Sequence, residues 1–316
     1  MARSKPILVT GGAGFIGSHL CDQLIAAGEQ VICLDDFSTG DRRNVGHLSS
    51  HRRFALVVHD VTDPISIEVG SIYHLACPAS PAQYQKDPIR TTRTAVVGTL
   101  NVLDLAARLG CRVLLASTSE VYGNPATSPQ REDYWGNVNP IGPRACYDEG
   151  KRCAESLCFD FHRKAGVEIK VARLFNTYGP RMQPEDGRVV SNFIVQALGE
   201  KPVTLYGDGL QTRSFCYVDD IVTGLIRLMG SVKDFVGPVN LGSIEEISIV
   251  DLAREIIALT GTTAGIVNLP MPPDDPTRRQ PDVTLARREL DWRPNTPLSA
   301  GLGSTIAYFR DRLGVS

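Results

Sequence analysis

The sequence predicts an α/β fold in which a doubly wound parallel sheet precedes a smaller α+β lid. Short runs of β-branched and aliphatic residues alternate with helix-length amphipathic segments up to about residue 174, a pattern typical of βαβ units. Beyond that point proline and glycine become more frequent and the elements become shorter. We therefore expect one domain over residues 1–175, rejoined by about 215–242, and a second domain consisting mainly of residues 176–316.

Each predicted strand is a short apolar run, and each predicted helix repeats its apolar residues at helical spacing. The strands of the first domain are expected at residues 7–10, 30–34, 54–58, 72–76, 113–116 and 169–172. Helices are expected at residues 15–27, about 89–109 and 147–165. Residues 219–229 and 239–242 have the pattern of a helix and a strand that return to the first domain. Such alternation implies right-handed crossovers and helices on both faces of the sheet.

Composition argues against several classes of protein. The 316 residues include 33 basic and 35 acidic side chains, a net charge of −2, so no nucleic-acid partner is expected. No apolar run is long enough to cross a bilayer, and the N-terminal apolar stretch is too short for a signal peptide. Eight cysteines without a Cys-x-x-Cys pair, and six histidines without ligand spacing, predict reduced thiols and no metal site.

A glycine-rich turn follows the first predicted strand, in the run Gly11-Gly12-Ala13-Gly14-Phe15-Ile16-Gly17. Such a turn lets the backbone approach a pyrophosphate and points the N–H groups of the next helix at the phosphates. Asp35 closes the second strand, where a carboxylate binds ribose hydroxyls and repels a 2′-phosphate. The combination predicts a Rossmann-type domain that binds NAD. Because Arg42 and Arg43 lie nearby, NADP stays an alternative cofactor. The glycines could instead form an ordinary tight turn between strand and helix. Asp60 is a candidate either for the adenine pocket or for a turn.

Tyr147 and Lys151 are four residues apart, and therefore on one face of a predicted helix. A tyrosine with its usual pKa near 10 is a poor base, and a neighbouring ammonium group lowers that pKa by roughly 1–3 units. The pair can then take a proton from a sugar hydroxyl as hydride leaves, and return it in the reverse step. Taken alone, Tyr-x-x-x-Lys also arises by chance on amphipathic helices.

A hydroxyl-rich loop, Ala-Ser-Thr-Ser-Glu-Val-Tyr-Gly at residues 116–123, follows the fifth predicted strand. Ligands bind beyond the carboxyl ends of parallel strands, so this loop is expected to face the nicotinamide. Thr118 is a candidate to hydrogen-bond the reacting hydroxyl, and Glu120 to carry a proton or position a water. The glycine turn, the hydroxyl loop and the Tyr/Lys helix, in this order, together indicate hydride and proton transfer on a sugar.

These three motifs resemble those of the extended short-chain dehydrogenase/reductase family of nucleotide-sugar enzymes. A narrower similarity, to that family's UDP-glucuronic acid decarboxylases (UDP-xylose synthases), lies in residues 132–151, 176–182 and 186–193, and similarity extends over nearly the whole chain. The resemblance implies conversion of UDP-glucuronate to UDP-xylose and CO₂, with bound NAD reduced and reoxidised in one cycle. It implies a homodimer packed through the helix at 89–109 and the helix carrying Tyr147. Some relatives carry an N-terminal membrane anchor, whereas this chain begins just before its first strand, so we expect a cytoplasmic protein without a membrane partner.

The resemblance also assigns residues to roles. Catalytic roles are expected for Tyr147, Lys151, Thr118, Glu120 and Ser119. Contacts to NAD are expected from Gly11, Gly14, Phe15, Ile16, Gly17, Asp35, Asp36, Phe37, Ser38, Thr39, Asp60, Val61, Leu75, Thr94, Ala116, Tyr147, Lys151 and Arg188. Contacts to the UDP sugar are expected from Asn176, Arg188, Asn192, Tyr206, Gln211, Arg213 and Arg279.

A carboxylate on C5 of the sugar loses CO₂ readily only when C4 is a ketone, because the electrons left behind then form an enolate. Tyr147 is expected to act first as a base and last as an acid, and fixed donors to stabilise the enolate. A tight grip on a carboxylate that must lose its charge would slow the reaction. Arg279 is therefore expected mainly to recognise the substrate, while Glu120 manages a water or proton at C5.

The nearest alternatives are a UDP-sugar 4-epimerase and a nucleotide-sugar 4,6-dehydratase, which share the oxidation at C4 and the Tyr/Lys pair. Residues 143–147 and Arg279 favour decarboxylation. A dinucleotide-sensing regulator on the same fold is the non-enzyme alternative. Such a regulator would be expected to lack Tyr147 or Lys151, and both are present.

Overall fold

The computed structural model describes residues 5–270 and 278–315. Its strands, in chain order, are β1 Ile7–Thr10, β2 Val31–Asp35, β3 Phe54–Val58, β4 Ser71–His74, β5 Arg112–Thr118, β6 Ile169–Leu174, β7 Thr177–Tyr178, β8 Val203–Tyr206, β9 Thr212–Ser214, β10 Cys216–Tyr217, β11 Val239–Leu241, β12 Glu246–Ser248, β13 Ile266–Leu269 and β14 Arg278–Arg279. Its α-helices are α1 Phe15–Ala26, α2 Pro81–Tyr84, α3 Pro88–Arg93, α4 Thr99–Leu109, α5 Ala145–Ala165, α6 Val189–Leu198, α7 Val218–Met229, α8 Ile249–Thr260, α9 Thr284–Leu290 and α10 Leu298–Leu313. Short 3₁₀ helices cover Arg42–Asn44, Gly46–Leu48 and Ser119–Tyr122.

Seven strands form the central sheet, in the order β11-β6-β5-β4-β1-β2-β3. Every neighbouring pair is parallel, and the chain order reverses direction between β1 and β4. This arrangement is the doubly wound sheet predicted from the sequence, so the fold class is confirmed. Ligands of such sheets bind at the carboxyl ends of the strands, where the order reverses.

Helices cover both faces of this sheet. Side chains of successive strand residues point to opposite faces, so each strand contributes apolar residues to both layers of packing. Leu8 lies in the cluster that packs against α4 and α5, together with Val102 and Ala154. Val9, the next residue, lies in the cluster built on α1, α7 and α9. The near-continuous apolar strands are therefore explained by burial on both sides.

The remaining elements form a smaller unit with its own core, in which α6, α8 and α10 contribute the residues Ile194, Leu252, Ile256 and Phe309. Its strands make small sheets, among them β12-β9-β14 and β13-β8. The pairs β9–β14 and β8–β13 are parallel, and the pair β9–β12 is antiparallel. None of the helices among residues 5–270 and 278–315 is both long and apolar enough to cross a membrane.

The predicted helix at residues 89–109 differs from the observed one. It consists of α3 and α4 joined by a π-helical segment, Thr94–Gly98. A Cβ on Gly98 would lie 2.7 Å from Val61 Cγ2, so the helix approaches the loop after β3 closely at this point. A π-helical segment often marks a functional site, and Thr94 and Val61 both line the cavity described next.

Candidate active site

A cavity of about 580 Å³ opens at the carboxyl ends of the central strands and is closed on the other side by the smaller unit. This volume lies within the range usual for small-molecule sites. All the residues assigned from the sequence to catalysis or to ligand contact line this cavity, except Phe37 and Asp60. Residues from the turn after β1 and from β2, β5 and α5 therefore meet residues from α6, β9 and β14 around one space.

The glycine turn after β1 forms part of the wall. Gly11 has a φ of +68°, and a Cβ there would lie 2.8 Å from the Ala76 backbone nitrogen. A Cβ on Gly17 would lie 2.2 Å from the Gly11 carbonyl oxygen, so α1 can start this close to the turn only with glycine at position 17. Gly14 precedes α1 and offers no side-chain cap to its first N–H groups. This geometry fits a pyrophosphate group of NAD.

Asp35 ends β2 and is buried at the edge of the cavity. Its Oδ2 accepts a hydrogen bond from the Ala13 N–H at 2.9 Å, and its Oδ1 accepts one from the Phe37 N–H at 2.8 Å. Burial raises the pKa of the carboxyl, and these two N–H donors oppose the rise. The carboxylate is thereby oriented toward the position that a ribose occupies in this fold.

Two residues assigned to NAD lie outside the lining. The Phe37 ring packs under the Arg42 guanidinium at 4.2 Å, with the residue at a φ of +59°. The Asp60 Oδ1 accepts hydrogen bonds from the N–H and hydroxyl of Thr62, and its Oδ2 lies 3.4 Å from Arg90 Nη2. Their neighbours Asp36, Ser38, Thr39 and Val61 do line the cavity.

Tyr147 lies in the first turn of α5 and is 6% exposed. Its ring stacks in parallel on the Tyr84 ring, with centroids 5.1 Å apart and an interplanar angle of 1°. Thr118, at the end of β5, lines the same cavity. The sequence predicts a lowered pKa for Tyr147, but burial raises that pKa in the structure, and the lowering effect of Thr118 offsets the rise only in part.

Lys151 lies one turn further along α5 and is 4% exposed. Its Nζ donates a hydrogen bond to the Ala116 carbonyl oxygen on β5 at 2.8 Å. The expected lowering of the Tyr147 pKa by Lys151 is therefore not the dominant effect here, because the ammonium group is directed at the strand end. Lysine and tyrosine nevertheless share one face of α5 and both line the cavity.

Glu120 lies in the 3₁₀ helix after β5, between two guanidinium groups. Its Oε2 accepts a hydrogen bond from Arg144 Nη2 at 2.5 Å and lies 3.3 Å from Arg279 Nη2. Burial alone would raise the pKa of this carboxyl, but Arg279 and Arg144 outweigh burial and hold the pKa below its usual value. Glu120 is therefore an ionised carboxylate beside Tyr147.

Arg279 is 2% exposed and reaches the hydroxyl loop from β14. Its Nη1 donates hydrogen bonds to the Ser119 carbonyl oxygen at 2.5 Å and the Ser119 hydroxyl at 3.3 Å, and its Nη2 donates one to the Gly123 carbonyl oxygen at 3.2 Å. Pairing of β14 with β9 places Arg279 beside Arg213, so both predicted substrate arginines lie on adjacent strands. Arg279 thus supports the loop that carries Thr118 and Glu120, a contact that its sequence context does not reveal.

The other predicted substrate residues come from the smaller unit. Arg188 is paired with Asp186, and its guanidinium carbon lies 5.8 Å from the centre of the Phe15 ring. The Asn192 amide donates to the Gly187 carbonyl oxygen at 3.0 Å. The Gln211 amide donates to the Tyr206 carbonyl oxygen at 3.0 Å, while Gln211 Oε1 is buried without a partner in the described part of the chain. Asn176, which follows β6, also lines the cavity.

Sequence reasoning missed Arg144 and Tyr84, which both line the cavity. A signal for Arg144 exists, because it precedes Tyr147 by three residues and so lies on the same helical face. No comparable signal identifies Tyr84, which is distant in sequence and reaches Tyr147 only through the packing of α2.

Comparison with known proteins points to one family. Residues 7–242 match the NAD dependent epimerase/dehydratase family. UDP-glucuronic acid decarboxylase 1 of Arabidopsis thaliana is 55% identical over 307 residues, which cover 97% of this chain and 70% of that protein. UDP-glucuronic acid decarboxylase 1 of Xenopus tropicalis is 56% identical over 309 residues, which cover 98% of this chain and 73% of that protein.

Solved structures of similar fold include epimerases. UDP-glucuronic acid 4-epimerase from Bacillus cereus, in complex with UDP-glucuronic acid and NAD, superimposes with a TM-score of 0.87 at 29% identity, covering 97% of this chain and 99% of that one. UDP-glucose 4-epimerase from Thermotoga maritima, with UDP-glucose, has a TM-score of 0.88 at 31% identity, covering 98% of this chain and 99% of that one.

Proposed function

This chain belongs to the NAD dependent epimerase/dehydratase family and, within it, to the UDP-glucuronic acid decarboxylases, and we propose that its cavity carries out their reaction with the residues named above. The protein is an NAD-dependent enzyme that converts UDP-glucuronate to UDP-xylose and CO₂. The observation that carries the assignment of roles is the position of Glu120, held between Arg144 and Arg279 in the cavity that contains Tyr147.

Bound NAD would supply the reversible hydride chemistry at C4 of the sugar. As the phenolate, a form that the positive charges of Lys151 and of bound NAD would favour, Tyr147 would remove the proton of the C4 hydroxyl, with Thr118 lining the same cavity. Lys151 holds the end of β5 through the Ala116 carbonyl, which keeps the strand and α5 at a fixed distance. At the end of the cycle Tyr147 gives the proton back to the C4 oxygen.

Loss of CO₂ breaks the bond between C5 and the carboxyl carbon, and its electrons form an enolate with the C4 ketone. One proton must then reach C5. Glu120 is ionised and lines the same cavity as Tyr147, so we assign to it the positioning of a water that passes this proton from the solvent to C5 and is reprotonated by the solvent. The guanidinium groups of Arg144 and Arg279 favour binding of the uronate carboxylate before it leaves.

We assign pyrophosphate binding to the turn at residues 11–17 and ribose binding to Asp35, with Asp36, Ser38, Thr39, Val61, Leu75, Thr94, Ala116 and Arg188 completing the NAD contacts. We assign the UDP sugar to Asn176, Arg188, Asn192, Tyr206, Gln211, Arg213 and Arg279. Residues 1–175, with 215–242, would then bind NAD, and most of 176–316 would bind UDP.

We also propose a homodimer and a cytoplasmic location. The helix at residues 88–109 exposes two large apolar side chains, Ile89 at 70% and Val97 at 38%, which supports a partner on that face. All eight cysteines are free thiols, a usage typical of proteins in a reducing compartment.

Incubation of the purified protein with UDP-glucuronate and catalytic NAD tests the function directly. We expect a UDP sugar lighter by the mass of one CO₂, without net accumulation of NADH. A product of unchanged mass would indicate a 4-epimerase instead, and a product lighter by one water would indicate a dehydratase.

A further inference from the structure

Asp148 follows Tyr147 in α5, and the chemistry derived above does not use its carboxylate. Its side chain is buried, with 6% of the residue exposed. Its Oδ1 has no hydrogen-bond partner within residues 5–270 and 278–315, and its Oδ2 lies 3.9 Å from Arg144 Nε. An unpaired buried carboxylate oxygen costs free energy, so a simple structural role does not explain it.

Asp148 is the outer end of a row of alternating charges. Arg144 lies between two carboxylates, 3.9 Å from Asp148 and 2.5 Å from Glu120. Arg279 lies on the far side of Glu120, at 3.3 Å. The row therefore leads from α5, beside the cavity, to the carboxylate that we place next to the reacting sugar.

We propose that Asp148 is a positioning residue that sets the net charge of this row, and thereby the strength with which the cavity holds the carboxylate of UDP-glucuronate. The inference rests on the proposed function. With Asp148 protonated, Arg144, Glu120 and Arg279 carry one net positive charge, which attracts the uronate. With Asp148 ionised, the net charge is zero and Arg144 is shared between two carboxylates, so the attraction weakens.

The surroundings of Asp148 place its titration near neutral pH. Burial raises its pKa first and Glu120 raises it further, while Arg144 and Arg279 lower it, with a result of about 7. The half-buried Glu149 contributes on the same helix, and the phenols of Tyr84 and Tyr147 and the thiol of Cys146 face the same region. From α3, which packs on α5, Arg93 is exposed and Arg90 pairs with Asp36.

The direction in which pH changes uronate binding follows from the ionisation of Asp148. Below about pH 7 Asp148 is neutral and uronate binding is strong; above it Asp148 is ionised and binding weakens. We expect KM for UDP-glucuronate to rise about three- to tenfold between pH 6 and pH 8.5, because a coupling of one pKa unit corresponds to tenfold in affinity. UDP-glucose has no carboxylate and no terminal phosphate, so its inhibition constant should not change over that range.

The test compares three proteins: the natural chain, Asp148→Asn, and Glu149→Gln as the matched control, since Glu149 is the next acid of α5 but is paired with Arg152. We expect Asp148→Asn to lose the rise in KM while Glu149→Gln keeps it. Identical KM profiles in the natural chain and Asp148→Asn would overturn the inference.

Two further measurements keep the outcome unambiguous. If Asp148→Asn does not fold, as judged by its melting temperature, Asp148→Ser carries the same expectation of a flat KM profile. A natural chain that releases no CO₂ from UDP-glucuronate at any pH would refute the proposed function, whereas UDP-xylose formation with superimposable profiles would refute only the role of Asp148.

Discussion

Single side chains in the cavity respond differently to the same burial. Burial raises the pKa of both Tyr147 and Glu120, but only Glu120 has guanidinium groups close enough to reverse the effect. At rest the site therefore holds a protonated phenol beside an ionised carboxylate. The phenol must lose its proton before it can act as a base, and the positive charges of Lys151 and of bound NAD would favour that loss.

Removal of the phenol hydroxyl tests this reading. We expect Tyr147→Phe to lower kcat by about 10²- to 10⁴-fold, the usual contribution of a general acid–base group. The stacked ring on Tyr84 is kept, so the melting temperature should change little. Production of UDP-xylose, measured by mass spectrometry, is the readout. Tyr73→Phe, a buried tyrosine of β4 outside the cavity lining, is the control, and equal activity of the two variants would contradict the role of Tyr147.

Arg279 has two roles in the structure, and its truncation should show both. From the sequence we expect Arg279→Ala to raise KM more than it lowers kcat, because recognition of the carboxylate is lost. Truncation also breaks the buried ion pair with Glu120 and the hydrogen bonds to Ser119 and Gly123, for which we expect a loss of about 3–5 kcal/mol of stability.

Steady-state kinetics and chemical denaturation measure these two effects separately. The exposed Arg288→Ala, whose side chain pairs with Glu289, is the control and should change neither. An unchanged KM with a collapsed kcat would contradict the recognition role of Arg279.

The residues that sequence reasoning identified and missed differ in one respect. Tyr147, Lys151 and Thr118 belong to motifs whose spacing is local, and the structure brings them to one cavity. The neighbours of Asp148 and Tyr84 lie on other elements, namely helices and a 3₁₀ helix. No local spacing in the sequence predicts these contacts. The direction of the Tyr147 pKa was wrong for the same reason, because burial depends on the whole fold.

At the scale of elements, the turn between β1 and α1 depends on close backbone approach. We expect Gly17→Ala to lose about 1–3 kcal/mol of stability, typical of overpacking, and to weaken NAD binding, since its Cβ would lie 2.2 Å from the Gly11 carbonyl oxygen. Melting curves with and without NAD measure both effects. Gly303→Ala, in α10 with nothing within 4 Å of the new Cβ, should be stabilised by up to about 1 kcal/mol. A stable, NAD-binding Gly17→Ala variant would refute the packing argument.

Long periodic elements were predictable, and short ones were not. The central strands and the helices α1, α5 and α7 follow from apolar runs and helical spacing. Strands such as β14 and β10 have two residues each, too few for any period to be visible. Their positions depend on pairing with β9 and β7, so the neighbourhood of Arg213 and Arg279 required the structure.

For the whole molecule, the proposed homodimer predicts the mass of the particle in solution. We expect gel filtration and light scattering of the natural chain to give a mass about twice the 34.4 kDa of one chain. Ile89→Lys combined with Val97→Lys should yield monomers, because two charges cannot be buried without partners. Val232→Lys, which replaces an apolar residue 73% exposed, about as much as Ile89, is the control and should leave the size unchanged. A double variant that stays dimeric would place the interface elsewhere.

The edge strand β11, which completes the seven-stranded sheet, affects how the sheet forms during synthesis of the chain. β11 comes from residues 239–241, so β6 keeps an unpaired edge until roughly three quarters of the polypeptide has left the ribosome. An open edge of a nascent sheet is a template for pairing with another chain. We therefore expect a translation product stopped at residue 175 to aggregate, and one stopped after residue 242 to stay dispersed for longer.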